Sequence, residues 1–273
     1  VDNFNSTTSG AYMAKAYTQL ATDGNPDNDT LMMSFNILSQ VASYPYEEDF
    51  SSWPPVNWDM TGGTFDWVQY GGNAAEARFW DFNTPNTCVM TTLPIDLSSA
   101  TSPLIYMDYS YGSSNYTDTL EIQMKSCSGS WITIWKKGAD DLESNDGATN
   151  TGPGSYVQVE IPVPSNFYNK EVQIRFVGIS QWGPDLFIDN ILVAEPPVVN
   201  LGTDQEICYT HSTTLTAGTG TNEGYYWYTL TDPNPLATTQ SLVVDSADTY
   251  ILRIKDLTTN LTNTDTIVVS VNQ

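Results

Sequence analysis

A chain of 273 residues has room for two domains, and 40% hydrophobic with 12% aromatic residues supply packed cores. Its 32 acids against 9 bases give a formal charge of −23, which repels nucleic-acid phosphate and anionic lipid headgroups and argues against either as a partner. The same surplus suits divalent cations and a salty exterior, and it also serves simply to keep an extracellular protein soluble.

No stretch approaches the roughly 20 apolar residues that cross a bilayer, and no basic segment followed by an apolar run opens the sequence. A secreted protein would have lost its signal or carry it upstream. Cys88, Cys127 and Cys208 are too few for a disulfide scaffold and form no CxxC; Cys88 with Cys127 is the candidate bridge. His211 is the only histidine, so a Ser-His-Asp or Cys-His arrangement has one base to draw on. The usual zinc ligands are missing, and no acid pair stands out for glycoside hydrolysis. The chain is predicted to be non-catalytic.

The predicted elements are strand after strand. "AYMAKAYTQLA" from Ala11 and "DTLMMSFNIL" from Asp29 alternate around the turn residues "TDGNPDN", which makes a hairpin. A lone hairpin needs further strands. Residues 1–41 are therefore expected to close a preceding domain or to pack on a neighbour. From Tyr44 the texture becomes aromatic-rich. Strands are expected at "TFDWVQY" (Thr64), "ARFWDF" (Ala77), "CVMTTLPIDL" (Cys88), "PLIYMDYSY" (Pro103) and "DTLEIQMKS" (Asp118). They continue at "WITIWKK" (Trp131), "SYVQVEIPV" (Ser155), "EVQIRFVGI" (Glu171) and "DLFIDNILVA" (Asp185). Regular spacing without a helical period predicts a two-sheet antiparallel sandwich over 42–195. Pro196-Pro197 interrupt the pattern as a short, stiff linker, and six or seven short strands follow over 196–273, the texture of an Ig-like sandwich. The fold class is all-β.

The middle section resembles the MAM-like jelly-roll family, in the branch of cleaved-adhesin or choice-of-anchor domains of large secreted surface proteins of gliding and periodontal bacteria. The carrying blocks are "YEEDFSSWPPVNW" (Tyr46), "LPIDLSSATSPLIYMDYSYG" (Leu93), "YTDTLEIQMKSCSGSWITIWKKGADDL" (Tyr116) and "VQIRFVGISQWGPDLFIDNILV" (Val172). The last section is similar to bacterial Ig-like or PKD-like repeats, through Cys208, "LTAG" (Leu215), "YYW" (Tyr225) and "ADTYILRI" (Ala247). A second Cys usual in those repeats is absent here. The opening hairpin resembles the closing strands of another Ig-like domain. The resemblance implies a jelly roll followed by an Ig-like domain, in a non-catalytic segment of a cell-surface adhesin or filament.

Asp189 interrupts an apolar strand, and an unpaired buried carboxylate is costly. MAM-like domains bring a strand Asp to an acidic N-terminal segment around a calcium-type cation. The resemblance therefore implies Ca2+ held by Asp189 with Asp49 or Glu48, backbone carbonyls and waters completing the shell. The plainer alternative is that Asp189 accepts backbone hydrogen bonds. Asp118 and Asp96 are expected to stabilise their own turns. Most of Trp53, Trp58, Trp67, Trp80, Trp131, Trp135, Trp182, Tyr106, Tyr109 and Tyr111 are expected in the core. Trp182, in the loop "SQWGPD", is the candidate for an exposed ring stacked on a sugar. The triplets "DTL", "DTL", "DSA" and "DTI" resemble an O-glycosylation signal of the same bacteria, which implies Thr30, Thr119, Ser246 and Thr266 as acceptors, although β-propensity and turn preference produce such triplets as well. The expected partners are a surface carbohydrate or glycoprotein. Two rival expectations are a carbohydrate-binding module of a secreted hydrolase and a structural subunit whose hairpin completes a sandwich on a neighbouring copy.

Overall fold

The computed structural model describes residues 10–17, 30–37, 41–82, 85–112, 116–127, 129–144, 152–218 and 220–272. It is all-β: among the described residues the only helical elements are short 3-10 turns such as Phe79–Asp81. Two compact units divide between Val193 and Ala194.

Strands β1 (Gly10–Tyr17) and β2 (Thr30–Ile37) form an antiparallel two-stranded sheet. Met13, Leu31, Met32 and Met33 stand exposed on it.

Within the first unit the strands continue as β3 (Tyr46–Glu48), β4 (Val68–Tyr70), β5 (Ala74–Ala77), β6 (Asn86–Thr91) and β7 (Ile95–Asp96). Then come β8 (Leu104–Tyr111), β9 (Thr119–Ser126), β10 (Ile132–Gly138), β11 (Val157–Pro162), β12 (Glu171–Ser180) and β13 (Leu186–Ala194). One sheet runs β10-β9-β12-β6 with β7 beside β12; the other runs β11-β8-β13-β5-β4 with β3 beside β13. Period-two alternation drives their assembly. Leu120, Ile122 and Met124 of β9 and Val172, Ile174 and Phe176 of β12 are buried in a single core with Ile105, Met107 and Tyr109 of β8 and Ile188 and Ile191 of β13. Trp58 stacks on Phe176 there at 5.8 Å. Its indole N–H donates to Tyr46 Oη at 2.8 Å, so the large ring is buried with its polar atom satisfied.

Several predicted strands are shorter than the sequence pattern. "TFDWVQY" contributes only β4, and "ARFWDF" becomes the end of β5 followed by the 3-10 turn Phe79–Asp81. "CVMTTLPIDL" divides into β6 and β7 around Pro94, which has no N–H for a ladder.

The candidate Cys88–Cys127 bridge is not formed. Cys88 is buried opposite Gly178, while exposed Cys127 follows Ser126, the partner of Val172. Gly178 and Val172 lie six positions apart on β12. At about 3.3 Å per residue the separation is roughly 20 Å, far beyond bridging range.

The second unit adds β14 (Gln205–Cys208), β15 (Thr213–Thr216), β16 (Glu223–Thr229), β17 (Ser241–Val244), β18 (Asp248–Asp256) and β19 (Thr262–Asn272). A four-stranded sheet β14-β19-β18-β16 and the pair β15-β17 enclose Trp227 with Leu215, Leu252, Ile254 and Ile267. Trp227 Nε1 donates to the carbonyl of Thr239 at 2.8 Å. His211 is exposed, its ring Nδ1 3.2 Å from the carbonyl of Tyr209 in its own turn.

Candidate functional site

The loop from Gln181 to Asp185 joins β12 to β13 and carries Trp182 outward. Its side chain is 43% exposed, and its φ of 75° lies in the left-handed region, costly for a bulky residue unless the surroundings fix it. Buried polar groups do so. Asp118, with no exposed surface, accepts from the hydroxyl of Tyr111 at 2.6 Å and from the backbone N–H groups of Gln181 and Gly183. A Cβ at Gly183 would collide with that carboxyl and stand 2.5 Å from Tyr111 Oη, so the loop approaches this closely only with glycine. Ser180 Oγ lies 2.9 Å and 2.7 Å from the carbonyls of Phe79 and Phe82 and receives the N–H of Trp182 at 3.3 Å. Burial raises the Asp118 carboxyl above the usual aspartate range, with those hydrogen bonds opposing the rise. Asp118 thus ties Tyr111, seven positions back across its own turn, to a loop 63 positions ahead, and the expectation covered only the first of these roles.

Two more exposed rings meet Trp182. Trp80, in the 3-10 turn after β5, is 46% exposed and its ring centroid lies 6.1 Å from that of Trp182, tilted by 36°. Tyr116, between β8 and β9, is 39% exposed and lies 6.1 Å from Trp182 on another side, tilted by 49°. The N–H of Trp80 donates to Asp185 Oδ1 at 3.1 Å. Asp185 is buried, and that burial pushes its pKa up to about 6, with Glu76 and Asp81 adding repulsion. The result is a twisted surface of three rings on fixed backbone. Sequence reasoning found Trp182 and missed its partners. Trp80 follows core residue Phe79 in a 3-10 turn, where successive side chains point about 120° apart, and it faces solvent; Tyr116 lay in a polar loop, the same signal that singled out Trp182. Of the other tryptophans, Trp58 and Trp67 are buried, and Trp53, Trp131 and Trp135 are half-buried.

Asp189 is buried on β13 beside exposed Asn190, whose φ is 49°. Here the strand changes partner: Leu186–Ile188 pair with β5 and Ile191–Val193 with β3. Asp189 Oδ1 accepts the N–H of Asn190 at 2.7 Å, and Asn190 Nδ2 donates to Asp108 Oδ2 at 2.9 Å. Burial raises the Asp189 carboxyl, and the charges of Asp108 and Asp49 push in the same direction. Glu48, paired across from Ile191, accepts the N–H of Phe50 at 2.7 Å, and Asp49 accepts that of Ser51 at 2.9 Å. Crowded acids of this kind have the charge a hard cation requires, but not the ligand count. Among the described residues no three His, Cys, Asp or Glu side chains gather at metal-binding distance.

Of the implied glycan acceptors, Ser246 and Thr266 are exposed and Thr119 is half-buried at the start of β9; the side chain of Thr30 lies outside the described residues. Asp96 accepts the N–H of Ser98 at 2.9 Å in its own turn.

No protein-family model matches the chain, and no curated protein matches it. Among solved structures, it is similar to the K3 cleaved adhesin domain of Lys-gingipain from Porphyromonas gingivalis W83. The match has 13% identity and a TM-score of 0.41 and covers 55% of this chain and 97% of that one. It is also similar to the carbohydrate-binding module TmCBM27, described for specific mannan recognition (20% identity, TM-score 0.35, 54% and 94% coverage). A third is the second N-terminal cellulose-binding domain of β-1,4-glucanase C from Cellulomonas fimi (14% identity, TM-score 0.37, 59% and 97% coverage).

Proposed function

We propose that the chain is a non-catalytic, extracellular segment of a bacterial surface adhesin, and that its first unit binds carbohydrate, free or on a glycoprotein, through Trp80, Trp182 and Tyr116. The observation that carries this reading is the exposure of Trp182 with Trp80 and Tyr116 each set against it, on a loop held by Asp118, Asp185 and Ser180. Large aromatic groups are left in water at a cost unless a ligand covers them, and a pyranose ring offers an apolar face of matching size. Fixing the rings beforehand lowers the ordering entropy lost on binding.

Under this reading a calcium-type cation held by Asp189 with Asp49 or Glu48 relieves the repulsion that Asp108 and Asp49 exert on Asp189, and glycans are carried on Thr30, Thr119, Ser246 and Thr266. The test of the carbohydrate site is a glycan array probed with the full chain and with Trp182→Ala. Loss of about 2 kcal/mol, typical of a central aromatic contact, is roughly thirtyfold in affinity. Equal binding by both proteins, or none by either, would refute the site.

A further inference from the structure

The outer face of the five-stranded sheet carries the same pattern twice. β9 has Glu121, Gln123 and Lys125 outward around buried Ile122 and Met124; β12 has Glu171, Gln173 and Arg175 outward around buried Val172 and Ile174. The antiparallel register sets Arg175 across from Gln123 and Gln173 across from Lys125. Lys125, Gln173 and Arg175 line a groove of about 560 Å³ together with Asn57, Trp131 and the acids Asp59 and Glu171.

Charge in this groove is unusual for the molecule. The Arg175 guanidinium carbon stands 4.3 Å from the centroid of the Trp131 ring, and the Lys125 ammonium stands 4.8 Å from the same centroid. Two like charges held over one ring repel each other. Neither has a carboxylate at ion-pair distance among the described residues, where the pairs are Arg78 with Glu76 and Lys136 with Glu121. Arg175 commits only its Nε, to Gln123 Oε1 at 2.7 Å.

Asp59 and Glu171 line the groove too, and their side chains accept from neutral groups, Asp59 Oδ1 from Thr61 in its own turn and Glu171 from the Cys127 thiol. Glu121, whose charge acts on Arg175, holds Lys136 and Gln123. None of these acids stands at ion-pair distance from Arg175 or Lys125, so the two bases sharing the Trp131 ring make a local positive end of the groove that fits an oxyanion. The amides of Gln173 and Asn57 and the edge of the indole fit hydroxyls and a ring.

We propose that this groove is a second site, separate from the three-ring surface, and that it takes a short acidic saccharide whose carboxylate or sulfate bridges Arg175 and Lys125. A planar guanidinium with free terminal nitrogens suits such an oxyanion. Short length follows from the charge of −23, which opposes a long polyanion; at about 0.15 M salt the opposing field is screened beyond roughly 8 Å while contacts inside the groove persist. The sugar part rests on the carbohydrate reading above, whereas the anion contact does not.

The test is calorimetric titration of the full chain with a short oligogalacturonate, a sulfated oligosaccharide, a neutral cello-oligosaccharide and an oligoglutamate peptide. At least one acidic sugar is expected to bind about tenfold tighter than both the neutral sugar and the peptide. Arg175→Gln and Lys125→Gln are each expected to weaken it by about tenfold with unchanged circular dichroism, and Arg175→Lys by less. Trp182→Ala is expected to leave this binding intact, so a failure of the three-ring surface is seen separately. The proposal is overturned if no acidic sugar binds, if the neutral sugar or the peptide binds as well, or if Arg175→Gln binds like the wild type.

Discussion

Asp185 shows how one residue ties the three-ring surface to acidity. Its carboxyl is buried under the turn that carries Trp80 and is pushed up to about 6, chiefly by burial. A folded-state value above the unfolded one means that the folded protein holds the proton more tightly. Stability from this group is therefore fully present below about pH 4 and is lost as pH rises through about 6. Asp185→Asn keeps an oxygen for the Trp80 N–H and removes the charge. It is expected to flatten that slope and to gain about 1–3 kcal/mol at neutral pH, by the worth of a pKa shift of this size. Urea unfolding of both proteins between about pH 4 and 7 measures it, and identical slopes would contradict the assignment. Asp189 is the opposite lesson. Its burial in an apolar strand and, as the plainer alternative, its acceptance of a backbone hydrogen bond were legible from sequence; that Asn190 is the donor was not, because it depends on a left-handed backbone at that residue.

At the scale of elements, alternation made the strands legible and their ends obscure. β9 and the first half of β12 alternate buried with outward residues, since their apolar face has a second sheet to cover it, whereas β8 is buried on nearly every residue. The segment after β5 kept strand-like composition yet folds as a 3-10 turn, and only the long-range bonds from Asp185 and Ser180 reveal why. β13 changes partner at Asn190, where Asp49, Asp108 and Asp189 crowd. If a cation neutralises them, saturating calcium is expected to stabilise the fold by about 2–3 kcal/mol, as for ligand at a hundredfold excess. In a chain of this size that raises the unfolding midpoint by roughly 5 °C or more. Asp189→Asn should abolish the shift. A wild-type midpoint indifferent to both calcium and chelator would remove the cation from the account.

For the whole molecule, strand patterning foretold an all-β chain and composition an acidic one with few bases, and the arrangement of those bases was hidden. Arg175 and Lys125 are 50 positions apart in sequence and meet only through the β9–β12 register. The three-ring surface likewise joins residues from three separate connections, so one loop tryptophan was all that sequence could offer. The proposed glycans are a property of the whole chain. They should appear as an intact mass above 30.1 kDa that falls on replacing the acceptor residues, and a bare mass from the native host would eliminate them.

Binding through Trp182 is the claim on which the functional account turns, and equilibrium titration of array-selected glycans against the full chain and Trp182→Ala tests it most directly. The expected result is measurable wild-type affinity that drops by roughly thirtyfold in the variant while its unfolding curve is unchanged. Undiminished affinity in a correctly folded Trp182→Ala protein would contradict it.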